Sequence, residues 1–180
     1  MEKRFPLTPF GKTLWTRDKA RSIREQLETE LARRAPGDTL VIDMKGIEAF
    51  DFSFANEFFG KVLLTLPRAY PHKFVIVEGL NSYTRENLIS ALESLGLAMI
   101  ERQKKKLSLI GKVHPTDTIT FETIAKAKAA VTAAALSNAL SMNVTAVNER
   151  LTKLTNLGLL RRERGQSEAG REQYEYAIPA

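Results

Sequence analysis

The chain has 180 residues, 43% hydrophobic and 27% charged, with 10 glycines and 7 prolines. This average globular composition excludes collagen-like, mucin-like and disordered chains and leaves room for one medium domain or two small ones. There is no cysteine, which excludes disulfide frameworks, cysteine nucleophiles, thiolate zinc sites and iron–sulfur ligation together, and 27 Lys plus Arg against 21 Asp plus Glu give a net charge of +6 that favours polyanionic partners. The cations are spread evenly along the chain, so position has to decide what they do. The opening Met1-Glu2-Lys3-Arg4-Phe5-Pro6 is not followed by the apolar stretch of a signal peptide, and no apolar run approaches the roughly 18 residues of a membrane span. The expectation is a cytoplasmic protein with no membrane partner.

In chain order, Ala20, Ile23, Leu27 and Leu31 recur at spacings of three and four with arginines and glutamates opposite, which predicts a helix over 16–34 capped by Thr16 and stopped at Pro36-Gly37. Thr39 to Met44 is a short β-branched run, a strand buried on both faces. Phe54, Phe58, Val62 and Leu66 repeat every four residues and predict a helix over 53–65 whose start Ser53 would cap. Phe74 to Val77 reads as a second buried strand; Leu88, Leu92 and Leu95 mark a third helix, closed by Gly96 before the apolar run 97–100. Lys104-Lys105-Lys106 reads as the solvated turn of a hairpin. Strand alternating with helix predicts an α/β layer with parallel crossovers.

The alternation ends in the polar stretch Gly111 to Asp117, where a domain boundary is expected. Downstream, three helices are predicted over 121–130, 132–140 and 144–157, then a β-hairpin from 159–164 and 173–178 around a glycine-containing tip. The second helix ends in Leu136, Ala139 and Leu140, three residues turn the chain, and the third buries Val147, Leu151 and Leu154 behind an Asn143 cap, which is helix-turn-helix spacing.

The stretch from Val131 to Leu151, continued by Leu154-Thr155-Asn156-Leu157-Gly158-Leu159-Leu160-Arg161-Arg162, resembles the winged-helix transcription regulators over about sixty residues. With Val147, Leu151 and Leu154 used for packing, the resemblance implies that Thr145, Ala146, Asn148, Glu149 and Thr152 face the DNA major groove. Asn148 is then the base reader, because its amide can pair bidentately with adenine. Arg150, Lys153, Arg161, Arg162, Arg164 and Arg171 are placed for phosphate. Alternation along the strand sends Arg161 to the face opposite Arg162 and Arg164.

In the N-terminal half, Thr16-Arg17-Asp18-Lys19-Ala20-Arg21 and the stretch Val41 to Phe58 resemble the STAS fold of anti-sigma-factor antagonists, and more closely a STAS-like family of unassigned function. In the antagonists an Asp-Ser-Ser-Gly turn opens a helix, and a partner kinase phosphorylates its second serine. Asp51 matches that aspartate and Ser53 that serine, while Phe52 stands in place of the first serine and Phe54 in place of the glycine. The resemblance makes Ser53 a phosphorylation candidate and implies a protein partner for this half.

Together these readings predict an α/β protein. A STAS-like domain with a mixed sheet spans 1–113, a linker 114–119, and a small winged helix of three helices and a β-hairpin 120–180. The expected function is transcriptional regulation: a homodimer formed through the STAS-like half binds duplex DNA through the winged helix. The alternative is a partner-switch protein controlled at Ser53. Asp43 and Asp51 raise a paired-carboxylate site, yet no nucleophile, base and orienter set is visible. No catalytic residue, cofactor or metal is expected. Trp15 and the nine phenylalanines read as core, with Phe52 and Phe59 as the two in excess.

Overall fold

The structure is a computed structural model that describes residues 1–127, 129–167, 170 and 172–179. Its central sheet has the order β1-β3-β5-β6-β7, formed by β1 (Glu2–Pro6), β3 (Thr39–Asp43), β5 (Phe74–Glu78), β6 (Ala98–Gln103) and β7 (Lys106–Gly111). The first four run parallel and β7 returns antiparallel, so the sheet is mixed. A two-residue parallel ribbon, β2 (Thr13–Leu14) with β4 (Ala49–Phe50), sits beside it.

The parallel strands are added in one direction, so right-handed crossovers place every connecting helix on the same face. These are α1 (Arg17–Ala32), the run α2 (Phe52–Ala55) to α3 (Lys61–Ala69), and α4 (Ser82–Ser94). Alternation then sorts the strand residues. Leu40, Ile42, Val75, Val77 and Met99 pack with Ile23, Leu27, Phe54, Phe58, Leu88 and Leu92 in one core, whereas Val41, Ile76, Ala98 and Ile100 point the other way. A sheet wound on one side leaves that second face bare unless something covers it. Here the cover is the C-terminal part, whose Phe121, Ile124, Leu136, Val147, Leu151, Leu154, Leu160 and Tyr176 complete a second core with those four residues.

That part consists of α5 (Pro115–Lys126), β8 (Val131–Thr132), α6 (Ala133–Leu140), α7 (Val144–Asn156), β9 (Arg161–Gln166) and β10 (Glu172–Ala177), with an antiparallel sheet in the order β8-β10-β9. Thr132 caps α6 through Ala135 N, and Asn143 caps α7 through Thr145 N at 2.7 Å. The turn between them puts Ser141 in the left-handed region at φ 50° and is pinned by the Ser137 hydroxyl, which donates to Met142 O at 2.5 Å.

Several local expectations need correction. Residues 115–119, expected in a linker, form the start of α5: His114 caps it through Thr116 N, and Pro115 fits the first helical position because that N–H needs no partner. The helix predicted over 121–130 therefore begins earlier and ends at Lys126. Ser53 is not the cap of its helix. Asp51 is, accepting from Phe54 N at 2.6 Å and from Thr16 N at 3.5 Å. The same helix contains a π turn at Asn56–Gly60, whose wider winding brings the adjacent Phe58 and Phe59 both inside, with their rings 4.8 Å apart edge to face. Phe59 is thus fully buried, while Phe52 and Trp15 are exposed.

Within the π turn Glu57 is also buried, at 3% exposure, and receives Lys61 at 2.8 Å, Arg24 at 3.3 Å and Arg21 at 3.8 Å. Burial alone would raise its carboxyl. Lys61 and Arg24 outweigh that and hold it below the usual glutamate range.

Candidate nucleic-acid interface

Because Val147, Leu151 and Leu154 are buried, α7 turns Thr145, Asn148, Glu149 and Thr152 to solvent, with Ala146 half-buried at the edge of that face. This side of α7 carries one net negative charge, from Glu149, and otherwise neutral amide and hydroxyl groups. Such groups can exchange hydrogen bonds with base edges.

The cations expected around it divide into two sets. Arg162 and Arg164 lie exposed on β9; the Arg162 guanidinium stands 4.6 Å over the ring of Tyr174, which orients it without neutralising it. Neither has a carboxylate partner among the described residues. The second set is engaged internally. Lys153 donates to the buried Asp117 at 2.5 Å, so its charge serves to satisfy a carboxylate of α5. Arg150 is half-buried and reaches Thr116 O at 3.5 Å and Met142 Sδ at 3.0 Å. Arg161 points into the α/β part, donating to Gly37 O at 2.6 Å and lying 5.7 Å over the Phe74 ring. Each of these three has a partner within the protein: they hold the C-terminal part together or fasten it to the sheet. Arg171 lies outside the described residues.

Asn148 and Thr152 do not look onto open solvent alone. Together with Glu149, Lys153 and Leu157 they line a wide-mouthed cleft of about 900 Å³, bordered also by Gly96 and Lys112 of the α/β part. Nothing in the sequence pattern announces Lys112. Its place beside α7 depends on how the C-terminal part seats on the sheet.

At the opposite face of the sheet, Ser53 sits half-buried in the first turn of α2, with the exposed Phe52 before it on the same helix and the exposed Trp15 on the segment between β2 and α1. Asp51 acts as the cap. Asp43 is held by Arg4 at 3.2 Å and by Lys45 N at 2.9 Å, so the two aspartates have separate structural partners. Among the described residues no cluster of three or more His, Asp or Glu side chains could hold a metal ion, and no helix is long and apolar enough to cross a membrane.

Residues 19–85 match a family described as a STAS-like domain of unknown function, a match that stops short of half the chain. Among solved structures, a possible transcriptional regulator from Methanosarcina mazei Go1 is similar at 22% identity and a TM-score of 0.34, covering 37% of this chain. The chain spans 56% of that neighbour's length. No curated protein matches. The N-terminal region is accordingly similar to STAS-like domains, on a mixed α/β fold.

Proposed function

We propose that the chain is a DNA-binding regulator rather than an enzyme, that residues 120–180 act as a winged helix, and that α7 enters the major groove of duplex DNA. The observation that carries this reading is the arrangement of the C-terminal part: a capped helix-turn-helix followed by a hairpin, the sheet order β8-β10-β9, and an outward α7 face of Asn, Thr and Glu. A helix held this way presents side chains at its first two turns to base edges, while a flanking strand pair reaches phosphate.

The test separates reading from holding. On a duplex selected from a random library, Asn148→Ala should lower affinity by about 1 to 3 kcal/mol, and on scrambled duplex it should change little. Fluorescence anisotropy at three salt concentrations measures both. Equal weakening of the two duplexes would remove Asn148 from the base-reading role, and the absence of any salt-dependent duplex binding would remove the function.

The STAS-like half is proposed to bring two copies together, since two-fold operators place half-sites about 34 Å apart and one α7 reads a single half-site. Light scattering of the intact protein reads this directly; a strict monomer that binds a selected site tightly would exclude it.

A second reading, a partner switch at Ser53, is favoured by the exposed Phe52 at 45% and Trp15 at 41% near the first turn of α2. A helix start stabilises phosphate through its free amides. Intact mass of protein isolated from its own cells should then show one stoichiometric phosphate at Ser53, and its absence under all growth conditions would exclude the switch.

A further inference from the structure

We infer that the α/β half forms the second wall of the duplex-binding cleft, with Lys112 neutralising a phosphate of the DNA strand that runs between it and α7. This rests on the proposal that α7 enters the major groove. A helix in a groove about 12 Å wide has a sugar–phosphate strand along each side. The 900 Å³ cleft lies along the exposed face of α7 and is bordered by Gly96 and Lys112, so a strand that flanks the groove on that side passes beside Lys112.

Lys112 suits that position in charge and in rigidity. It is exposed, and among the described residues it has no carboxylate partner, whereas Lys153 on the facing wall is held by Asp117. Its backbone N–H donates to Leu97 O at 2.7 Å. The preceding Gly111 has a φ of 97°, and a Cβ there would come within 2.5 Å of Leu97 O and 2.8 Å of Leu92 Cβ, so only glycine lets the chain pass this close to the end of α4. The base of Lys112 is therefore fixed against the sheet. The C-terminal part is fixed to the same sheet by the second core and by Arg161 on Gly37 O, so the width of the cleft is set before DNA arrives. A cation presented on a rigid frame loses little conformational freedom when it meets phosphate.

In the full chain, Lys112→Ala should weaken selected and scrambled duplexes alike, about five- to tenfold at 0.1 M salt, and should reduce the slope of log affinity against log salt by about 1. Lys112→Glu should weaken both further. Lys19→Ala, on the first turn of α1 across the sheet, should leave affinity and slope unchanged and serves as the control. The thermal midpoint of each variant, measured alongside, should stay at the parent value because both lysines are exposed. If Arg162→Ala with Arg164→Ala flattens the salt slope while Lys112→Ala does not, the winged-helix reading stands and the second wall is refuted. Tighter binding by Lys112→Ala would refute it as well, by showing that this wall obstructs the duplex. If the parent binds no duplex, the function itself fails.

Discussion

A chain ended at Val113 is expected to lose its soluble, cooperatively folded state. The cut leaves the STAS-like half complete in sequence but strips the cover from Val41, Ile76, Ala98 and Ile100, all at 3% exposure or less in the intact protein. Full burial of a Val or Ile side chain contributes about 1.5 to 3 kcal/mol, so uncovering three of them together with Ala98 removes roughly 5 to 9 kcal/mol. Whole-domain stability is about 5 to 15 kcal/mol, so the loss is comparable with everything available. The exposed side chains would also form a contiguous apolar patch on a sheet, a surface prone to self-association. Size-exclusion chromatography, binding of a hydrophobic dye and thermal melting of residues 1–113 test this. A monomer with one sharp transition near that of the parent would show that the two halves fold independently.

The second large effect concerns the hairpin. Replacing Arg162 and Arg164 together by alanine should reduce the salt slope of duplex binding by about 2 and weaken all duplexes alike, roughly fiftyfold at 0.1 M salt. Arg161→Ala should behave differently. Its guanidinium serves Gly37 O and the Phe74 ring, so the change should lower the thermal midpoint and leave the slope intact. Should Arg161→Ala flatten the slope and the double variant leave it untouched, the hairpin would be facing DNA with its other side.

Much of this arrangement can be read from residues near one another in sequence. The amphipathic spacing of Ala20, Ile23, Leu27 and Leu31 marks α1, the β-branched runs mark β3 and β5, and Val147, Leu151 and Leu154 decide which side of α7 is free. The strand β1 escapes this kind of reading. Glu2, Lys3 and Arg4 make it look like a surface segment, yet it pairs with β3 along its whole length with Phe5 and the following Leu7 in the core, while Arg4 reaches Asp43 and Glu78 and Glu2 receives Arg102 at 2.5 Å. The start of α5 was legible in principle: proline at a first helical position behind a capping side chain is a helix signal, but Pro115 also fits a loop. The roles of Lys153 and Arg161 were not legible. Their partners, Asp117 and Gly37, lie 36 and 124 residues away, and no local pattern encodes a contact between two helices of the C-terminal part or one that forms when that part seats on the sheet.

A sheet clothed on both sides by its own chain also joins the N-terminal and C-terminal parts through a shared core rather than across a loose hinge. An influence on Ser53 or α1 can reach α7 through the strands that lie between them, at Val41, Ile76 and Ile100, and also around the sheet, where Leu66 of α3 lies beside Gly158 and Gly37 accepts from Arg161. Such a device has short travel and stiff response. Lengthening the chain around residue 113 would not tune it, whereas altering the bulk of a strand residue under the C-terminal part, such as Ile76, would.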